Sequence, residues 1–274
     1  MGQGGQGLGR KDRPLSSPIE FAIDGRIATV TLATPGKLNA LSVASWDALR
    51  DAFATLSADP RPRAIVVRGT GGNFAAGADI SEFETVRSNV ADGTVYHERT
   101  VKGALLAISS CPIPTVALIE GACVGGGLEI ACSCDLRIAA ESSRFGVPIN
   151  RLGFPLAHSE LTALLALAGR AIALEILLEG RVFGAREAYE KGLLTHVVAD
   201  DAVEAEAYAT ARRMAEGSPA AAAANKRWIA RLTAMPEPLT EAEKRDHYGY
   251  FDTADYREGV RAFLAKTKPE FPDR

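Results

Sequence analysis

One carboxylate, Glu129, stands inside an apolar run, Leu128-Glu129-Ile130-Ala131-Cys132, directly after Gly125-Gly126-Gly127. Apolar surroundings penalise an ionised carboxylate and raise its pKa, which suits proton transfer near neutral pH. The same position also suits a glutamate in the first turn of a helix that only complements the helix dipole. A second glycine-bearing segment, Phe74-Ala75-Ala76-Gly77-Ala78-Asp79-Ile80, lies upstream. Each segment follows an apolar run that reads as a buried strand: Ala64-Ile65-Val66-Val67 and Thr115-Val116-Ala117-Leu118-Ile119. Glycine lacks a Cβ, so such turns tolerate unusual φ/ψ and let a ligand approach the backbone.

If Ala78 and Gly126 each aim an N–H at one point, the pair forms an oxyanion hole. Removing one such donor typically costs about 2.7–4 kcal/mol of transition-state stabilisation. Gly126 would also lie near a helix N-terminus, whose partial positive charge favours an anion. This combination suits enolate chemistry at a thioester, or acyl transfer. Acyl transfer needs a nucleophile with a base, and the chain has no Gly-x-Ser-x-Gly elbow. Nor does it contain a Walker-type phosphate loop, and Gly125-Gly126-Gly127 does not complete a dinucleotide-binding fingerprint.

These turns need strands and helices to hold them. Strands are expected at 19–23 and 27–32, joined by the hairpin signal Asp24-Gly25. Ser42 can cap a helix carrying Trp46, Leu49, Phe53 and Leu56 as an apolar stripe. A long helix is expected over 84–110, stopped by Cys111-Pro112-Ile113-Pro114. A helix over 127–133 and a strand over 136–139 follow the second glycine cluster. Beyond about residue 155 the chain reads as almost wholly helical, with segments near 157–168, 170–179, 185–191, 201–216, 219–232, 238–249 and 255–265. Alternating strands and helices imply an α/β fold with parallel pairing.

Composition narrows the function classes. The 274 residues are 47% hydrophobic and 24% charged, an ordinary globular balance. A net charge of −3 argues against general nucleic-acid affinity. The alanine run 220–224 is too short to span a bilayer, and no membrane association is expected. Cys111, Cys123, Cys132 and Cys134 read as small buried apolar residues in a reducing, cytoplasmic compartment, with no metal site. Residues 1–17, rich in Gly, Gln, Arg and Ser, read as a disordered tail without a secretory signal.

The chain resembles the crotonase superfamily, the enoyl-CoA hydratase/isomerase family. Its landmarks are Asn39-Ala40-Leu41, the run Phe74 to Ile80, Glu120-Gly121 leading into Gly125-Gly126-Gly127-Leu128-Glu129, then Asp135-Leu136-Arg137-Ile138-Ala139 and Phe145-Gly146-Val147-Pro148. Near the end, the segment from Phe251 to Phe263 resembles the family's terminal helix. The resemblance implies a spiral core of repeated β-β-α units over 18–215 and a helical trimerisation region over 216–274. It implies a homotrimer or dimer of trimers and an acyl-CoA thioester substrate, with no cofactor beyond the CoA that the substrate carries. The family's oxyanion donors map onto Ala78 and Gly126, and one hydratase glutamate, the one that activates water, maps onto Glu129. Lys37, Leu38, Ala40, Ala76, Asp79 and Ile80 map onto the region that holds the CoA adenine and pantetheine arm.

One departure matters. Where the family's hydratases carry a second glutamate, this chain has Ile149, which cannot carry a proton. Losing a general acid typically costs about 10²–10⁴-fold in rate. His158 or Glu160 can substitute, with His158 the candidate catalytic residue through its tunable pKa. Arg151 can contact a polar acyl group. The expected function is therefore acyl-CoA processing, with a thioester enolate held in the oxyanion hole and one glutamate as acid and base. The alternatives are a non-catalytic acyl-CoA-binding protein, or a one-base isomerase, hydrolase or decarboxylase.

Overall fold

Strands β1 (Ile19–Asp24) and β2 (Ile27–Leu32) form the expected antiparallel hairpin, with Val30 opposite Phe21. The computed structural model describes residues 17–217, 219–233, 241–252 and 254–267; the expected tail over 1–17 lies outside them apart from Ser17. Helix α1 (Val43–Ala58) starts at a capping box made by Ser42 and Ser45, and its stripe of Trp46, Leu49, Phe53 and Leu56 is fully buried. Strand β3 (Ala64–Gly69) follows, then the short helices α2 (Phe83–Val86) and α3 (Val90–Val95), a π-helical stretch over Tyr96–Val101, and α4 (Lys102–Ser109). Next come β4 (Thr115–Ile119), β5 (Ala122–Val124), α5 (Gly126–Ser133), β6 (Leu136–Ala140) and β7 (Arg144–Gly146). After the 3₁₀ turn Pro148–Leu152, the chain continues through α6 (His158–Glu179), β8 (Phe183–Gly184), α7 (Ala185–Glu190), β9 (His196–Val198) and α8 (Val203–Glu216). Helices α9 (Pro219–Thr233), α10 (Glu241–Tyr248) and α11 (Ala254–Leu264) complete the described chain.

Two sheets organise these elements. The larger runs β1-β2-β3-β4-β6-β9, parallel everywhere except β1–β2; the smaller runs β5-β7-β8. Each turn of the chain places one strand in the larger sheet, one in the smaller, then a helix: β4, β5, α5, then β6, β7, α6. The turn starting at β3 follows suit, because Ala75 bridges to Cys123 beside the smaller sheet before α2 begins. Repetition of this step is the spiral of β-β-α units.

Both faces of the larger sheet are covered, so its strands are continuous apolar runs. Ile65, Val67, Ala117 and Ile119 face the main core with α1 and α5, whereas Val66, Val116, Leu118 and Ile138 face α8. A third cluster, including Phe83, Leu152, Phe154, Tyr248, Phe251 and Tyr256, joins the C-terminal helices to the rest.

Two expectations are corrected. The long helix over 84–110 is broken after Val86, where Arg87 leaves helical geometry and the Asn89 side chain caps a new start by accepting from Asp92 N. A polar run such as Arg87-Ser88-Asn89 offers the backbone side-chain hydrogen bonds that compete with helix. The C-terminal half is also not wholly helical: β8 and β9 extend the sheets, although both are too short to show a periodicity. The segments expected at 157–168 and 170–179 join as α6, with an interruption at Gly169 (φ 71°, ψ 171°).

The loop before α1 is held under strain. Leu38 and Asn39 both adopt left-handed φ, 50° and 57°, which non-glycine residues rarely do. Asn39, almost fully buried, holds this shape by accepting from Thr34 N (3.1 Å) and Thr70 Oγ1 (3.0 Å) and donating to the carbonyls of Thr70 (2.9 Å) and Asn73 (2.8 Å). Asn39→Ala strands several of these buried groups. It should lower unfolding free energy by about 2–3 kcal/mol. Urea denaturation would show this as a lower midpoint at unchanged slope.

Candidate active site

The two glycine segments meet. Gly77 (φ 103°) and Gly125 (φ 52°) take conformations that side chains resist, and a Cβ on Gly77 would sit 3.8 Å from Gly126 N. Gly127 comes so near the other segment that a Cβ would lie 2.3 Å from the Ala75 carbonyl oxygen. Leu41 pairs with Ala78 in parallel fashion: Leu41 N donates to Gly77 O, and Asp79 N donates to Leu41 O. That pairing turns the Ala78 N–H the other way, toward a cavity of about 810 Å³ that both Ala78 and Gly126 line. Among the described residues, neither the Ala78 nor the Gly126 N–H has a protein acceptor. Gly126 is the first residue of α5, so its N–H adds to the helix's positive end.

Glu129 lines the same cavity one turn further along α5. Burial, then the negative charge of Glu160, push its pKa well above the ordinary carboxylate range; nearby Arg87 only partly offsets this. These surroundings favour the protonated form of Glu129.

Glu160 also lines the cavity, from the first turn of α6, and is buried. Burial alone would raise its pKa, but His97, Arg87 and the local backbone outweigh burial and hold it below its usual value. His97 Nδ1 lies 2.5 Å from Glu160 Oε1. Burial lowers the pKa of His97, against the pull of Glu160. A neutral imidazole donating from Nδ1 to an ionised carboxylate satisfies both groups. His97 sits in the π-helical stretch and stacks on Tyr248 at 5.8 Å. Such stretches recur at functional sites because they re-aim side chains out of helical register.

His158, expected as the substitute for the missing glutamate, takes another direction. Its Nε2 lies 3.0 Å from Glu98 Oε1, which also accepts from Tyr248 Oη, and it is not among the described residues that line the cavity. Positions two apart on a helix face roughly opposite ways, so Glu160 rather than His158 reaches the site. The sequence marks Glu160 only as a first-turn acid, and gives no sign that His97 or Arg87 would join it. Ile149 lines the cavity, as its alignment with the second hydratase glutamate requires, and offers only apolar surface.

Of the residues expected around the CoA arm, Ala76 and Ile80 line the cavity. Lys37, Leu38, Ala40 and Asp79 lie on the adjoining strained loop and its partner segment. Ala76 N donates to Leu38 O, and Lys37 Nζ lies 2.7 Å from Asp79 Oδ2. Lys37 and Leu38 are exposed, so this rim is open to a ligand.

Fold and cavity together define a crotonase-type protein. The family profile described as enoyl-CoA hydratase/isomerase matches residues 22–274. A probable enoyl-CoA hydratase of Mycobacterium bovis, echA8, is 35% identical over 92% of this chain and 96% of its own. A crystal structure of an enoyl-CoA hydratase/carnithine racemase from Magnetospirillum magneticum is 47% identical, with a TM-score of 0.78 over 93% of this chain and 96% of that one. A methylmalonyl-CoA decarboxylase complexed with 2S-carboxypropyl-CoA is 28% identical, with a TM-score of 0.85 over 94% of this chain and 99% of that one. The chain belongs to the enoyl-CoA hydratase/isomerase family and is an acyl-CoA-processing enzyme of that family.

Glu129 should cost stability. Above the ordinary carboxylate range the unfolded chain ionises this group while the folded state keeps its proton. The folded state then binds more protons, so stability falls as pH rises until the raised folded pKa is passed. Glu129→Gln should melt above wild type at neutral pH, by roughly 2–4 °C per kcal/mol of relieved burial cost. The gap should close as pH falls below the ordinary carboxylate range, which calorimetric melts across pH would test.

Proposed function

We propose that the protein hydrates the double bond of an enoyl-CoA thioester using two carboxylates, Glu129 and Glu160. The observation that carries this reading is a pair of acids on one cavity wall whose surroundings drive their protonation apart. Such divergence is the signature of an acid and base in divided roles.

The thioester oxygen accepts from the N–H groups of Ala78 and Gly126, so negative charge developing there is stabilised. Ionised Glu160 takes a proton from water as the water oxygen bonds to the β-carbon. The electrons of the double bond move onto the enolate, and protonated Glu129 delivers its proton to the α-carbon. Glu129 then recovers a proton and Glu160 releases one, closing the cycle. This division reverses the role that the resemblance assigns to Glu129, because its burial favours the protonated form. His97 orients Glu160, and no metal or redox group takes part.

The surface supports an assembly. Helix α6 is long and apolar enough, by length and composition alone, to cross a membrane, and only 17% of its most apolar window is buried. Gly169 interrupts it, and Arg170 and Glu175 punctuate it. Its exposed Leu165, Leu174 and Leu178 suit the interface of a homotrimer or dimer of trimers. Four free, buried cysteines accord with a cytoplasmic location.

Crotonyl-CoA hydration, followed by loss of enoyl absorbance, tests the mechanism. Glu129→Gln and Glu160→Gln should each lower kcat by about 10²–10⁴-fold. Wild-type activity should rise on the acid side as Glu160 ionises and fall on the alkaline side as Glu129 loses its proton; Glu160→Gln should erase the acid limb. Full activity in Glu160→Gln would defeat the two-carboxylate mechanism. Product analysis would expose a one-base isomerase, hydrolase or decarboxylase, and binding of CoA esters without any turnover would mark a non-catalytic binder.

A further inference from the structure

Tyr96 lines the cavity beside the two acids, and its hydroxyl is met only by groups that donate. The residue is buried in the π-helical stretch, next to His97. Its oxygen accepts from Trp46 Nε1 at 3.2 Å, and the Arg87 guanidinium also hydrogen-bonds to it. An indole N–H and a guanidinium carry donors and no acceptor, so neither can receive the phenolic proton. Among the described residues, the Tyr96 hydroxyl makes no hydrogen bond in which it is the donor. Burial raises its pKa, so the hydroxyl keeps that proton at neutral pH.

A buried tyrosine hydroxyl normally finds a partner for its proton. Trp46, Arg87 and Tyr96 all line the cavity, which leaves the cavity as the place where an acceptor can stand. Donors bonded to the oxygen also polarise the O–H and strengthen what it donates. The neighbours fix which part of the cavity it serves. The Tyr96 ring meets His97 edge-on at 5.1 Å, and His97 Nδ1 lies 2.5 Å from Glu160 Oε1. The charge of Glu160 reaches Tyr96, yet no hydrogen bond joins the two side chains. An oxygen seated between them has to accept from Tyr96 and donate to Glu160. Water and hydroxyl groups do both, whereas a carbonyl oxygen only accepts and a hydrocarbon does neither.

We infer that Tyr96 donates to the oxygen that hydration adds, first as the attacking water opposite Glu160 and then as the 3-hydroxyl of the product. This rests on the two-carboxylate reading above and adds a third group to it. Tyr96 keeps its proton throughout; it holds the oxygen in place while Glu160 takes the proton from it. The competing role is purely structural, with Tyr96 serving only to satisfy the donors of Trp46 and Arg87.

Binding of 3-hydroxybutyryl-CoA against butyryl-CoA separates the two roles. Isothermal titration would use Glu129→Gln as the background, to slow turnover of the hydroxylated ligand. That background should prefer the hydroxylated thioester. Adding Tyr96→Phe should cut the preference by about 3- to 10-fold, the scale of one hydrogen bond. Adding Tyr96→3-fluorotyrosine instead, a stronger donor of nearly the same shape, should raise it. An unchanged preference in the Tyr96→Phe variant, including an equal loss for both ligands, would overturn the inference in favour of the structural role. If that variant fails to fold, a preference that does not rise with fluorotyrosine overturns it as well. The hydration rate of Glu160→Gln tests the two-carboxylate reading separately, so an unchanged preference beside a rate loss there removes this inference alone. If neither thioester binds, the acyl-CoA reading itself fails and carries this one with it.

Discussion

Two N–H groups can be kept without protein partners only where the chain around them is tied at every other amide. Backbone donors shielded from water normally find acceptors, and a flexible loop would turn these two toward the nearest carbonyl. Here the neighbours are committed. Ala75 N donates to Ala122 O, Ala76 N to Leu38 O, Val124 N to Ala75 O, and Gly125 N to Gly146 O. Leu41 takes both Gly77 O and Asp79 N, which leaves the Ala78 N–H facing away from it. The positive φ of Gly77 and Gly125 makes the turns feasible, and the missing Cβ of Gly127 lets α5 close on Ala75. Strained Leu38 and buried Asn39 belong to the same arrangement, since Leu38 O receives the Ala76 N–H.

The cavity behind these amides shows how burial can separate like groups. Glu129 and Glu160 repel one another when both are charged, so one proton stays. The choice between them falls to their neighbours. Glu160 has the His97 imidazole at hydrogen-bond distance and feels Arg87, whereas Glu129 is surrounded mainly by the apolar residues of α5. The asymmetry needs no metal and no unusual residue. It needs only that the positive charge and the donor lie nearer one acid than the other.

Much of the frame was legible because it is local. Asp24-Gly25 marks a hairpin, Ser42 marks a helix start, and the apolar runs around Ile65 and Val116 mark buried strands, each through neighbouring residues alone. The glycine clusters and Glu129 were legible for the same reason. Strands β5, β7, β8 and β9 were not, since two or three residues carry no period and their pairing is decided by distant partners. Glu160 stands out less than His158 in the sequence because a first-turn acid has an ordinary explanation in the helix dipole. His97 carried no signal at all: within Tyr96-His97-Glu98-Arg99 it reads as one polar residue among several, and its burial arises only once α6 and Tyr248 pack over it.

The apolar Ile149 and the broken helix after Val86 form one structural adaptation. Position 149 carries no acid, and the carboxylate that joins Glu129 in the cavity is Glu160, from α6. That carboxylate stays ionised in an apolar cavity only if positive charge and a donor reach it together. Had residues 84–110 formed a single α-helix, Arg87 and His97 would stand about 15 Å apart along its axis, at roughly 1.5 Å per residue. One acid could not have felt both closely. The turn at Arg87 and the π-helical stretch at Tyr96–Val101 fold that distance back, so Arg87 and His97 both lower the pKa of Glu160. The irregular path that a helical reading of the sequence misses is thus what brings both positive influences to bear on the second carboxylate of the cavity.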